Sequence, residues 1–300
     1  MERHMLIDSV EKMLLESGFL VSSGFGCFDL MAKKDDPMAL KVLMNIDSFT
    51  HSEAEDLKTL SCFLGMMPLL VGDRANRYRL EESVVYERFG VPTMSPGTFE
   101  CFVNGVMPEI ASRRGGYSVS VDPEKLSGAM NMADMSFAEL SGASGLSRKT
   151  LYKCRSGGAV DGRTCEEISK VFGESLNVAV SVKKEYENSA REPRSCLKKN
   201  VSRQLTRMGL AYSFLSRSPF NLVIREGGAI VSVVSHDRKR LESSAGVLQQ
   251  LEEGFGLSAV FITAHGSGRS IEGIPAISIG EVSRMSSRDE FLRSMDDRQF

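Results

Sequence analysis

The closing third of this 300-residue chain restates its opening third in order and spacing. Residues 201–208, followed by Gly209 and Leu210, match the helical pattern before Gly18 and Phe19. Phe220-Asn221-Leu222 matches Phe28-Asp29-Leu30, and the apolar run AIVSVV at 229–234 takes the place of MALKVLM at 38–44. Ser235-His236-Asp237 stands where Asn45-Ile46-Asp47 does, 239–253 corresponds to 52–64, 259–263 to 68–71, and Gly273-Ile274-Pro275 to Gly90-Val91-Pro92. Self-similarity of this kind predicts one supersecondary plan used twice. In the first copy, residues 5–17 place Leu6, Val10, Met13 and Leu14 on one helix side. A strand at 27–32, a turn at 33–37, buried strands at 38–44 and 68–71, a helix at 52–64, a further strand at 84–89 and a helix at 95–103 complete an α/β layout.

Between the copies lies a different kind of segment. Residues 135–157, MSFAELSGASGLSRKTLYKCRSG, predict two short helices joined by a tight turn. Ser136 caps the first, Glu139 is its capping-box partner, and Gly145 suits the left-handed residue that ends it. Ser147 caps the second helix, which turns Leu151 and Cys154 to one side and Arg148, Lys149, Tyr152 and Lys153 largely to the other. Helices around 125–129 and 163–172 flank the pair. Leu126, Met130, Phe137, Leu140, Leu146, Leu151, Ile168, Val171 and Phe172 supply one shared core. The alternating segments 117–121 and 176–182 are expected to pair as a ribbon at the base of these helices.

Composition narrows the class. With 42% hydrophobic and 25% charged residues the chain reads as a soluble, cytoplasmic globular protein. Its first residues form an amphipathic helix interrupted by Asp8, Glu11 and Glu16, unlike a signal peptide. A net charge of -2 argues against coating nucleic acid along the whole length, so any contact with DNA comes from a local patch. The cysteines Cys27, Cys62, Cys101, Cys154, Cys165 and Cys196 show no CxxC pair and predict reduced thiols, with neither a zinc site nor a disulfide framework. Lys183, Lys184, Arg191, Arg194, Lys198, Lys199, Arg203 and Arg207 make 183–207 the most basic stretch, readable as an arm on the DNA backbone or as a solvated linker. His236 beside Asp237 reads as a surface histidine at a strand end. The Gly266–Gly268 loop after His265 lacks phosphate-loop spacing.

Two resemblances follow from these residues. The 135–157 segment, with its flanking helices over 122–173, resembles the helix-turn-helix of the Cro and lambda-repressor class, whose second helix enters the major groove. Many members of that class carry Gln where Phe137 stands, and Gly where Asp134 stands. The order of elements around Glu11, Gly18-Phe19, Asp29 and Lys41 resembles the restriction-endonuclease-like fold, closest to archaeal Holliday-junction resolvases. That resemblance implies a metal held by Asp29 and by a second carboxylate two positions before Lys41. The position is Ala39, with Glu11 as a candidate substitute. In the second copy Asn221 replaces the Asp, and Val231 or Ser232 the Lys. The three-part arrangement as a whole resembles a family of archaeal helix-turn-helix regulatory proteins.

The sequence therefore predicts α/β plus all-α architecture: two degenerate restriction-endonuclease-like domains (1–112 and 198–300) flanking a helix-turn-helix domain (113–182), with a basic linker at 183–197. The expected function is that of a non-enzymatic, sequence-specific transcriptional regulator. Ser147, Arg148, Lys149, Tyr152 and Lys153 would contact double-stranded DNA, and two copies would dimerise through the α/β domains. No metal, cofactor or membrane is called for, and a small-molecule effector is left open. Three alternatives stand beside this reading: a metal-dependent nuclease using Glu11, Asp29 and Lys41, a sensor whose terminal domains bind a ligand or partner, and a four-helix packing module that touches no DNA.

Overall fold

The computed structural model describes residues 2–113, 116–187, 193, 195–264, 266 and 268–298. The first lobe contains α1 (Arg3–Glu16), β1 (Leu20–Ser23), β2 (Leu30–Lys33), β3 (Met38–Asn45), α2 (His51–Leu64) and β4 (Met67–Ala75). The middle contains β5 (Tyr78–Arg79), β6 (Val84–Arg88), β7 (Val91–Met94), α3 (Pro96–Val103), β8 (Ile110–Arg113), β9 (Gly116–Ser118), β10 (Ser120–Val121), α4 (Pro123–Met132), α5 (Phe137–Ser144), α6 (Arg148–Arg155), α7 (Gly162–Phe172) and β11 (Asn177–Val178). The last lobe contains α8 (Cys196–Arg207), β12 (Ala211–Phe214), β13 (Leu222–Arg225), β14 (Ala229–Ser235), α9 (Arg238–Phe255), β15 (Ser258–Thr263), β16 (Ser270–Ile271), β17 (Ile274–Ser278), α10 (Ile279–Val282) and α11 (Arg288–Asp296). They form two compact units, residues 1–70 with 183–300, and residues 71–182.

In the first unit, the element order α1-β1-β2-β3-α2-β4 returns as α8-β12-β13-β14-α9-β15. Antiparallel ladders join β1 to β2 and β2 to β3, and likewise β12 to β13 and β13 to β14. The last lobe builds a six-stranded mixed sheet in the order β12-β13-β14-β15-β17-β16, with parallel β14-β15 and β15-β17 pairs. Ile230 and Val234 of β14 share a core with Val201 and Leu205 of α8 and Phe291 of α11, whereas α9 packs on β14 and β15 outside that core. Such a strand is covered on both faces, which explains why 38–44 and 229–234 read as largely apolar runs without alternation, broken only by Lys41 and Ser232. Strand β2 begins only at Leu30, later than the expected 27; Phe28 and Asp29 sit in the loop that enters it.

The two lobes grip each other within one chain. Helix α9 packs on β1, and in return α2 packs on β13. Asp56 of α2, fully buried, accepts the Ser216 amide at 3.1 Å and the Arg217 amide at 3.0 Å. The Cys27 amide donates to the Arg217 carbonyl at 2.6 Å. Arg225 Nη1 donates to the Cys62 carbonyl, and Lys33 Nζ to that of Phe255. Gly26 is required here: its φ of +88° suits glycine, and a Cβ would lie 2.5 Å from the Arg217 oxygen.

In the second unit, β6 and β7 form a hairpin in which Arg88 faces Val91. The sequence reading passes from a strand at 84–89 to a helix at 95–103 and misses β7. Phe89 and Gly90 both take positive φ (49° and 83°), the backbone twist of a two-residue hairpin turn, and the chain doubles back before Ser95 caps α3. Strands β10 and β11 pair antiparallel, Ser120 with Val178 and Val121 with Asn177, as expected of the ribbon. Helices α4 to α7 close over one core in which Leu126, Met130, Leu140, Leu151 and Ile168 are buried. Phe137, Leu146, Val171 and Phe172 line its edge. Among the described residues no helix is long and apolar enough to cross a membrane.

Candidate nucleic-acid interface

Local chemistry sets the geometry of α5 and α6. The Ser136 hydroxyl accepts the Glu139 amide, while the Glu139 carboxylate accepts both the Ser136 amide (2.8 Å) and its hydroxyl (2.7 Å). Those bonds, the hydroxyl's first, hold the Glu139 carboxyl below its ordinary pKa. Gly145 ends α5 at φ 69°, and Asp134 takes φ 48° at the turn before it, a conformation Asp tolerates better than most side chains. Ser147 then caps α6 by accepting the Thr150 amide at 3.1 Å. Leu151 and Cys154 are buried on the inner side of α6; Ser147, Arg148, Lys149, Tyr152 and Lys153 are exposed on the outer.

Arg155 joins them, and the sequence reading stops short of it. It lies one turn beyond Tyr152, is exposed, and carries its guanidinium 5.3 Å from the centre of the Phe137 ring. Phe137 also stacks on Tyr152, with ring centres 5.0 Å apart and planes at 15°. The i, i+3 relation of Tyr152 and Arg155 is the signal that finds this residue. Arg148, Lys149, Lys153 and Arg155 thus form an all-cationic face, and no carboxylate occurs in sequence between Glu139 and Asp161. Among the described residues none of these four has an ion-pair partner, whereas Lys170, Arg238, Arg288 and Arg298 elsewhere all do.

The basic 183–207 stretch is partly tied down inside the first unit. Lys183 pairs with Asp36 at 2.7 Å, Lys198 lies over the Phe214 ring, and Arg207 donates to the Ser283 and Met285 carbonyls. Burial, with Arg240 nearby, lowers the Lys198 pKa. Arg191 and Arg194 lie outside the described residues, as does His265. His236 is exposed just past the end of β14, where the sequence places it.

A protein of Pyrococcus horikoshii named "Putative HTH-type transcriptional regulatory protein" is 32% identical to this chain, over 100% of this chain and 99% of its own length. The chain belongs to that family. A member from Methanothermobacter thermautotrophicus carries the same name at 31% identity, over 99% of this chain and 97% of its own length, and one from Archaeoglobus fulgidus at 28%. No solved structure matches the chain. A family model described as a PD-(D/E)XK superfamily domain matches residues 3–108.

That match directs attention to Asp29 and Lys41 in this family member. Asp29 is buried at the entry to β2. One carboxylate oxygen accepts from Arg3 Nη2 at 2.6 Å and faces Lys41 Nζ at 3.5 Å, and the other accepts the Val42 amide at 2.8 Å. Lys41 also faces Glu53 Oε1 at 3.7 Å and donates to the Gly26 carbonyl. It is buried, and does not reach water as a snorkelling strand lysine would. Glu11, on α1, is not among these partners of either residue, and Ala39 brings no side-chain oxygen. A divalent cation needs several free oxygens in one place, whereas this carboxylate is flanked by two cations. Among the described residues no three His, Cys, Asp or Glu side chains gather as metal ligands, so the donor set does not suit such an ion.

The last lobe repeats the backbone of this site without its charges. The Asn221 amide donates to the Ser232 carbonyl and Asn221 Oδ1 accepts the Val234 amide, as Asp29 does with Leu40 and Val42. The residue equivalent to Lys41 is therefore Val233, one or two places beyond the Val231 or Ser232 expected from sequence. Counting on from Asn221 as from Asp29 reaches Val233, whereas matching the apolar runs 38–44 and 229–234 by their ends does not.

Proposed function

We propose that this protein is a sequence-specific DNA-binding transcriptional regulator of the Cro type, with α6 in the major groove. One observation carries the reading: an eight-residue helix presents Arg148, Lys149, Lys153 and Arg155 outward with no carboxylate partner among the described residues. Four uncompensated cations beside one exposed aromatic suit a polyanion with readable edges. Ser147 and the first amides of α6 face phosphate, Arg148 and Lys149 reach base edges or backbone, and Tyr152 offers its ring and hydroxyl. The relatives' name supports the same reading.

One such helix is too small a reader for a unique genomic site, so two copies of the chain bind a two-fold operator through the α/β unit. The faces of α2 and α9 that interlock the lobes are consumed within each chain, which leaves the copy-to-copy contact to other faces of that unit. The α/β unit is a scaffold without nuclease activity, its Asp29 engaged in holding β3. In vitro selection from genomic DNA tests this, comparing wild type with Arg148→Ala/Lys149→Ala in the presence of magnesium. A two-fold motif recovered by the wild type and lost by the variant is the expected result. Cleaved DNA overturns the non-enzymatic reading, and recovery by both proteins alike removes α6 from the interface.

A further inference from the structure

We propose that Phe137 is the positioning residue of this interface, seating Arg155 as a phosphate contact at the far end of α6; the proposal rests on the DNA-binding reading above. Arg148 and Arg155 are seven residues apart, close to two full turns. They therefore share a face at roughly 10 Å separation along the axis, with Tyr152 between them at i+4 from Arg148. The near end of this stripe is fixed by the Ser147 cap. The far end is closed by Ser156, whose backbone amide and hydroxyl both donate to carbonyls of the last turn, which leaves the Arg155 side chain to be held from outside the helix. What supports it is Phe137, the first residue of α5, half-buried at the edge of the helical core and touching both Tyr152 and Arg155.

A guanidinium laid on an aromatic ring keeps its N–H edges directed away from the ring, and these edges match two phosphate oxygens at once. An unsupported arginine would lose rotamer freedom on binding, a cost that the ring removes in advance. The stacked Tyr152 ring meanwhile fixes α6 against α5, so that one side chain sets both the helix angle and the arginine.

The experiment measures affinity for a mixed-sequence DNA duplex as a function of salt for wild type, Phe137→Leu, Phe137→Tyr, Arg155→Ala and the Phe137→Leu/Arg155→Ala pair. Each lost phosphate contact lowers the slope of log K against log salt by about 0.9. Arg155→Ala is expected to lose about that much, and Phe137→Leu the same with its charge count intact. The pair should lose no more than either alone, and Phe137→Tyr should restore the wild-type slope. Circular dichroism melts check that each variant is folded. A wild-type slope in Phe137→Leu overturns the proposal, as do losses that add in the pair. Arg155 is exposed and its truncation does not threaten the fold, so an unchanged slope in Arg155→Ala overturns it even if Phe137→Leu unfolds. A wild type that binds no duplex at low salt is distinguishable from all of these, and overturns the DNA-binding reading together with the proposal.

Discussion

Asp29 and Asn221 make the same hydrogen bond to a neighbouring strand, one as an anion between Arg3 and Lys41, the other as a neutral amide beside Val233. The shared part is structural, and the charge of the first lobe is an addition to it. Removing the carboxylate alone leaves Lys41 buried with Glu53 at 3.7 Å as its remaining ion pair among the described residues, beside the Gly26 carbonyl, and takes from the Val42 amide the acceptor it has in Asp29. Asp29→Ala is expected to destabilise the protein by about 3–5 kcal/mol. Asp29→Asn/Lys41→Val copies the last lobe and should fall within about 1.5 kcal/mol of wild type. Urea unfolding midpoints of the three proteins check the order. The sequence showed that Ala39 withholds a second carboxylate. It could not show that Arg3 occupies Asp29, because that contact joins a helix start to a loop through the fold.

At the scale of elements, legibility followed the range of the interaction. The Ser136-Glu139 capping box, Gly145 and the inner face of α6 were readable because each is decided within a few residues. The Phe89-Gly90 hairpin turn was not, since Phe rarely adopts positive φ and offers no turn signal. The face of α6 was readable up to Lys153, but the role of Arg155 depends on Phe137, on another helix. Burial in the helical core raises the Cys154 thiol, pushes Cys165 up to about 12, and raises Cys27 in the first lobe, so these three are poor thiolates. Cys101 and Cys196 are exposed. Alkylation of the native protein near pH 8, followed by peptide mass mapping, should label Cys101 and Cys196 rapidly and spare Cys27, Cys154 and Cys165 until denaturant is added.

At the scale of the whole molecule, the repeat was visible in sequence, whereas the partner of each copy was not. Pattern reports which face of a helix is apolar, and an apolar face suits a second copy in the same chain as well as one in another chain. Asp56 decides the matter here, since its two acceptor bonds reach Ser216 and Arg217 in the other lobe. Truncating it strands two amides, at about 1–3 kcal/mol each if they stay dry. Asp56→Ala should therefore lower stability by about 2–6 kcal/mol. Hydrogen exchange should show β3 and β14 losing protection together, as one cooperative block.

The same interlock sets a timetable for synthesis. Asp56 leaves the ribosome 160 residues ahead of Ser216, a delay of roughly 8–30 s at ordinary translation rates. Throughout that interval β1 and α2 lack α9 and β13 to cover them, and helices α4 to α7 are delivered complete before it ends. The nascent chain thus acquires its cationic helical segment before the two lobes can close on each other, and the apolar faces of the first lobe stay uncovered in the meantime.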